Sequence, residues 1–125
     1  MTTSRHIAIV GAGMAGIACA RTLVQAGHRV TVFDKSQGLG GRMSTRNSAF
    51  GTFDHGAQYF TVRDARFELA LQTTAGLCRP WSANTVRVLD SHGRVAAAGL
   101  PAREPHWVPS PGMNALVGAW ASLLD

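Results

Sequence analysis

The sequence predicts an α/β fold that opens with a strand–turn–helix–strand unit, and three observations carry that prediction. Ile7-Ala8-Ile9-Val10 is a short continuous apolar run, as expected of a strand buried on both faces. Three glycines follow at positions 11, 13 and 16, and from there to Ala26 the apolar residues recur at helical spacing. A second apolar run, Val30-Thr31-Val32-Phe33, comes after Gly27 and ends on an acid, Asp34. A helix between two such strands is the crossover that parallel pairing requires.

Each element has its own signal. In the first helix Gly16, Cys19, Ala20, Leu23 and Val24 share one face, and Gly27 stands where a helix C-cap belongs. Cys19 then reads as a small buried apolar residue. Residues 36–49 are rich in Gly, Ser, Thr, Asn and Arg and read as an extended loop. Gln58 to Val62 reads as a strand. Asp64 is placed as the N-cap of a helix from Arg66 to Thr74 that ends near Gly76. Thr85 to Leu89 alternates apolar and polar residues, Asp90-Ser91-His92-Gly93 is turn chemistry, and Val95 opens a return strand. Pro101 to Pro111 holds four prolines and reads as an irregular connection. Gly112 to Leu124 reads as a helix with Met113, Leu116, Val117 and Trp120 on one side, a core face rather than a cofactor box. Trp81 and Trp107 have no evident place, unless they face a further domain.

Composition excludes several classes. With 46% apolar and 15% charged residues the chain is an ordinary globular sequence rather than a disordered one. Its 12 basic and 7 acidic residues leave a net charge of +5, but the charges are scattered singly. A nucleic-acid groove would show a basic stripe with interleaved aromatics; none is present, and a bound diphosphate is a better use for the excess. Cys19 and Cys78 form no CxxC pair and no metal-ligand spacing, which points to a reducing, cytoplasmic setting and no metal. Arg5 and the run from Ile7 to Ala20, with Ala18-Cys19-Ala20, have the outline of a signal peptide, but glycines at fixed spacing interrupt that run. No segment approaches the roughly 20 apolar residues of a membrane span.

The glycines carry the chemistry. Gly11 permits a tight turn from strand to helix, Gly13 lets the backbone approach a pyrophosphate, and Gly16 lets the helix pack closely on the sheet. The helix N-terminus, at Met14 and Ala15, then offers free N–H groups and partial positive charge to phosphate oxygens. Asp34 can accept hydrogen bonds from both hydroxyls of the adjoining ribose, and would repel a 2′-phosphate. A second element, Gly38-Leu39-Gly40-Gly41-Arg42-Met43-Ser44-Thr45, brings an arginine fork behind two glycines, suited to phosphate oxygens. The ligand expected from these features is the ADP half of a dinucleotide.

Together, Gly11-x-Gly13-x-x-Gly16, Asp34-Lys35, Gly40-Gly41-Arg42-Met43 and Asp54-His55-Gly56-Ala57-Gln58-Tyr59 resemble the renalase-like flavoproteins, a branch of the amine-oxidase-like FAD superfamily. The resemblance runs from about residue 5 to 63 and recurs weakly at Trp107 to Leu116; the Gly-Ala-Gln-Tyr stretch narrows it to the renalase-like branch. It implies FAD bound across a Rossmann-like βαβ unit, with a second domain covering the flavin. By position, it implies Gly11, Gly13, Met14, Ala15 and Gly16 at the phosphates, Asp34 and Lys35 at the ribose end, Gly41, Arg42 and Met43 near the phosphates, and Gln58 and Tyr59 at the flavin. His55 lies in the same stretch, but no residue is nominated as general base. The resemblance further implies hydride transfer from a small substrate, such as an amine or a reduced nicotinamide dinucleotide, with electrons passed to oxygen.

The sequence departs from that family in length, since members are more than twice as long. The expected organisation is a dinucleotide-binding unit over 1–63, the beginning of a substrate domain over 64–111 and a helix over 112–125 that returns toward the first unit. No third parallel strand is apparent in residues 30–125. The Rossmann-like unit is therefore expected to be incomplete, with unpaired strand edges. Two other functions stay open: a non-catalytic dinucleotide-binding fragment needing a complementing chain, and an NAD-linked dehydrogenase with an unusual loop.

Overall fold

In a computed structural model, which describes residues 3–83, 87–96 and 104–124, the opening unit forms as the sequence indicates. Strand β1 (His6–Val10) pairs in parallel with β2 (Arg29–Phe33), and helix α1 (Met14–Gln25) makes the crossover. The helix stops on Gly27, whose φ of +88° suits glycine. There the Gly27 N–H donates to the Val24 carbonyl and the His28 N–H to the Leu23 carbonyl, satisfying two terminal carbonyls.

Two details of this unit differ from expectation. β1 is not buried on both faces: Ile7 and Ile9 point inward, whereas Ala8 is exposed and Val10 is 89% exposed. Among the described residues, β2 is its only strand partner and a single face is covered. Cys19 and Val24 are exposed, not buried, because the helix turns its inner stripe to Ile17 and Ala20. That stripe is set by α3 (Asn114–Ala121), which packs on α1 from the far end of the chain.

α3 and its N-cap residue supply four of the seven buried core residues found among the described residues. Met113, Leu116 and Val117 are fully buried and Trp120 is nearly so, which matches the face read from the sequence. Each such side chain contributes about 1.5–3 kcal/mol when removed from water. The Trp120 ring meets the edge of Phe67 at a centroid distance of 6.4 Å, so α2 (Ala65–Gln72) joins the same core. Asp64 caps α2 as expected, its carboxylate accepting the Arg66 N–H at 2.8 Å, and Gly76 takes a φ of +83° beyond the helix.

Three segments depart from the expected elements. Residues 36–49 are not all loop: after a 3-10 turn at Gly41–Met43, β3 (Arg46–Ser48) and β4 (Gly51–Phe53) form an antiparallel hairpin. All six strand residues are exposed, so no apolar alternation announces them; the turn is held by Ser48, whose Oγ donates to the Gly51 carbonyl and accepts from the Phe50 N–H. Gln58 to Val62 is not a strand. Only Phe60 pairs, exchanging both backbone bonds with Trp107 at 2.8 and 3.0 Å. The partner segment then turns to a different neighbour, because Trp107–Pro109 forms β6 against β5 (Cys78–Pro80). The connection expected from Pro101 to Pro111 is therefore partly regular over residues 104–111, and its start lies outside the described residues. Pro109 is tolerated because it ends β6, as Pro80 ends β5.

The hairpin expected around Asp90–Gly93 is present as a turn with one bridge, Leu89 to Val95. Asp90 holds it by accepting the N–H groups of His92 and Arg94, and Gly93 has a φ of +75°. The start of the expected strand at Thr85 lies outside the described residues. Cys19 and Cys78 are free thiols, and partial burial raises the pKa of Cys78. No helix among the described residues is long and apolar enough to cross a membrane, and no cluster of metal-ligating side chains occurs among them.

Candidate functional site

The turn between β1 and α1 is fixed from three sides. The Gly11 N–H donates to the Phe33 carbonyl at 2.6 Å, the Ala12 N–H to the Asp34 carboxylate at 2.7 Å, and the Ala12 carbonyl accepts the Gly40 N–H at 3.0 Å. Gly11 has a φ of +111°, which an L side chain would strain. A Cβ on Gly16 would overlap the Gly11 carbonyl, so the close approach read from the sequence is met within the chain itself.

Gly13 is different. Its φ is −77°, and a Cβ there would come no closer than 3.9 Å to the Gly40 carbonyl and Gly41 Cα. No described residue crowds a Cβ at this position, so nothing among the described residues demands glycine there. Gly13 is also the N-cap of α1 and has no side chain with which to cap it, and the first turn carries no acid. Among the described residues no partner takes the N–H groups of Met14, Ala15 and Gly16, and these residues, with the positive end of the helix dipole, line an open cleft.

That cleft has a volume of about 1080 Å³ and is lined by the turn, by Met14, Ala15 and Ala18 of α1, and by Gly40, Gly41, Arg42 and Met43 of the following loop. Eight of the twelve residues singled out in the sequence line it: Gly11, Gly13, Met14, Ala15, Gly16, Gly41, Arg42 and Met43. The Gly-Gly-Arg loop is held over the turn by a backbone bridge between Gly13 and Gly40. Beyond it the Arg42 carbonyl accepts the Ala57 N–H at 2.8 Å, and a Cβ on Gly56 would collide with that carbonyl.

Asp34 stands at the mouth of the turn without lining the cleft. Its two oxygens accept the Ala12 and Ser36 N–H groups at 2.7 Å each. These backbone bonds, Ala12 first, hold its carboxyl below the usual carboxylate range, and Lys35 nearby adds to the effect. Lone pairs remain on both oxygens for a further donor. Lys35 itself is exposed and lies outside the cleft lining.

Gln58 and Tyr59 are not brought to the cleft. Gln58 lines a separate cavity of about 720 Å³ with Asp54, Arg79, Trp81 and residues 108–111. Tyr59 stacks on His106 at 4.0 Å and on Trp81 at 5.8 Å, with interplanar angles of 20° and 24°. This gives Trp81 a place. His55 is exposed.

Two arginines that sequence reasoning missed also line the main cleft, Arg21 and Arg66. Arg21 donates to Thr73 Oγ1 at 2.7 Å and lies over the Trp120 ring at 5.1 Å, with its Nε buried and unpartnered. Arg66 is paired with Asp64 at 2.7 Å, which raises the Arg66 pKa and lowers that of Asp64. Arg21 was detectable on a helical wheel, since it follows Met14 by two turns on the same face. Arg66 faces the cleft through the tertiary placement of α2, for which the sequence has no local sign.

The chain is similar to several known proteins. It is 48% identical over 94 residues to an L-amino-acid oxidase of Siganus canaliculatus, covering 74% of this chain and 17% of that protein. It is 47% identical over 58 residues to a 4,4'-diapophytoene desaturase of Staphylococcus haemolyticus, covering 46% of this chain and 12% of the relative. A tRNA 5-methylaminomethyl-2-thiouridine biosynthesis bifunctional protein of Acinetobacter baylyi is 55% identical over 40 residues, 32% of this chain and 6% of that protein. The chain thus spans less than a fifth of the length of these relatives. A family model described as "NAD(P)-binding Rossmann-like domain" matches residues 9–72, which include the whole β1–α1 turn, Asp34 and the Gly-Gly-Arg loop. This chain belongs to the NAD(P)-binding Rossmann-like domain family.

Proposed function

We propose that this chain is the dinucleotide-binding part of an FAD-dependent oxidoreductase of the renalase-like, amine-oxidase-like kind. One observation carries the reading: the uncapped N-terminus of α1 and the Arg42 loop face one cleft, with the Asp34 carboxylate at its mouth. Relatives named as an oxidase and a desaturase support the redox class.

The residues present fit the ADP half of FAD. The amides of Met14, Ala15 and Gly16 would hold the diphosphate where Gly13 leaves room, and Arg42 would add a charge-assisted contact. Asp34 would accept the ribose hydroxyls through its free lone pairs. Gln58 and Tyr59 would stand at the flavin end, the Tyr59 ring held in orientation by His106 and Trp81. The chemistry a bound flavin supplies is acceptance of a hydride from a small substrate, an amine or a reduced nicotinamide dinucleotide, and reoxidation by oxygen. In this reading residues 1–63 bind the dinucleotide, 64–111 begin the substrate domain and 112–125 return to the first unit. The setting is cytoplasmic, without nucleic-acid or membrane partners. Among the described residues β1 pairs only with β2, and this open strand edge favours a complementing segment or chain beside β1.

The test is a titration of the purified chain with FAD, read by flavin absorbance and fluorescence. The expected result is saturable binding that Arg42→Ala weakens by about 1.5–3 kcal/mol, the cost of losing a hydrogen bond to a charged group. The second reading, an NAD-linked dehydrogenase, is favoured by the description of the matched family model, and it predicts NAD binding that Arg42→Ala leaves unchanged.

A further inference from the structure

The start of α3 is held by groups that are not its own. Its N-cap, Met113, makes no side-chain cap. Instead the Met113 N–H donates to Asp54 Oδ1 at 3.0 Å, and the Asn114 N–H donates to Thr45 Oγ1 at 3.1 Å. The Thr45 hydroxyl in turn donates to the same Asp54 oxygen at 2.7 Å. Asp54 and Thr45 therefore replace a local cap with one assembled across the fold. Gly112 makes the approach possible, because a Cβ there would lie 2.8 Å from Thr45 Oγ1.

The placement of these two residues matters. Thr45 lies three residues beyond Arg42, and Asp54 two before Gly56, whose neighbour Ala57 bonds the Arg42 carbonyl. The segment between Gly40 and Ala57 is thus pinned at three points: to the phosphate turn through Gly40, to itself through Arg42, and to α3 through Thr45 and Asp54. α3 itself is clamped on α1 by Leu116, Val117 and Trp120, all buried. The Arg42 loop sits over the turn with one end tied to the turn and the other to the helix that packs behind it.

We propose that Asp54 and Thr45 are positioning residues for phosphate recognition: by capping α3 they fix the loop that carries Arg42 over the turn. This rests on the proposed role of the cleft in binding a diphosphate. The mutual bonds use one oxygen of Asp54 and one hydroxyl, so the geometry needs acceptors and a donor at these points rather than a negative charge. Asp54→Asn keeps the acceptor and preserves the arrangement, whereas Asp54→Ala removes it.

The test is a double-mutant cycle read by ADP affinity in calorimetry on the full chain, with circular dichroism confirming the fold of each variant. ADP is expected to bind the unaltered chain. Asp54→Ala is expected to weaken ADP about tenfold when Arg42 is present and less than twofold in the Arg42→Ala background. Asp54→Asn is expected to stay within about twofold of the unaltered chain. An equal loss in both backgrounds, or an Asp54→Asn variant as impaired as Asp54→Ala, would overturn the positioning role while leaving the cleft assignment intact. If the folded, unaltered chain does not bind ADP, the reading of the cleft fails and this proposal fails with it. Should Asp54→Ala not fold, Thr45→Val carries the same cycle, with Thr45→Ser as the conservative rescue.

Discussion

Two glycines in helices are predicted to respond to the same substitution with opposite signs. Gly16 lies in the first turn of α1 and Gly118 in the middle of α3, and neither has a positive φ. An added methyl at Gly118 meets no atom within 4 Å. Gly118→Ala therefore expresses the helix preference alone, a gain of about 1 kcal/mol. At Gly16 the methyl falls on the Gly11 carbonyl, a backbone group with no rotamer to escape into, and Ile9 Cγ2 stands 3.6 Å away. Overpacking costs about 1–3 kcal/mol, and a backbone obstacle belongs at the upper end. After the helix preference is subtracted, Gly16→Ala is expected to lose about 2 kcal/mol. It also displaces the Gly11 carbonyl in the β1–α1 turn, so under the proposed function ADP affinity is expected to fall with stability. Denaturant unfolding followed by circular dichroism measures both variants against the unaltered chain. A Gly16→Ala protein as stable as the original would refute the close approach of α1 to the turn.

Other outcomes follow from the same structure. Trp120→Ala, which empties a buried site shared by Phe67, Arg21 and α1, is expected to cost about 3–5 kcal/mol in denaturant unfolding. Asp64→Ala is expected to lower the melting temperature by fraying α2, and Asp64→Asn to restore most of it, since Asn also caps. Asp34 has a folded pKa below its unfolded value, so its contribution to stability is fully present above the ordinary carboxylate range and is lost as pH falls through the lowered value. In acid titrations of stability, Asp34→Asn is expected to flatten the profile in that window; an unchanged profile would contradict the bond from the Ala12 N–H.

The sequence made the opening unit legible because each glycine there answers a steric or conformational demand that is local. Gly11 needs a positive φ, Gly16 needs space beside a residue five positions earlier, and Gly27 closes a helix through bonds to its own last turn. The α3 face was legible for a similar reason, since Met113, Leu116, Val117 and Trp120 share one stripe of one helix. What escaped was decided at a distance. The β3–β4 hairpin is exposed on every strand residue, so burial left no pattern to read. The Gln58–Val62 segment lost its strand because Trp107 turns to pair beside Pro80, and Cys19 lost its burial because α3 covers Ile17 and Ala20 instead. The site divides the same way. Eight predicted residues meet in one cleft because they belong to the β1–α1 turn, the first turn of α1 and the adjoining Gly-Gly-Arg segment, whereas Gln58 and Tyr59 follow the Trp81 and His106 segments to another part of the molecule.

The most direct test of the account compares ADP with its 2′-phosphorylated analogue by calorimetry on the same folded sample. A carboxylate that holds the ribose at the mouth of the turn tolerates a diol and repels a phosphate there. ADP is expected to bind at least about tenfold more tightly than the analogue, with Asp34→Ser narrowing the gap. Equal affinities, or a preference for the 2′-phosphate in the unaltered chain, would contradict the placement of the nucleotide between the α1 N-terminus and Asp34.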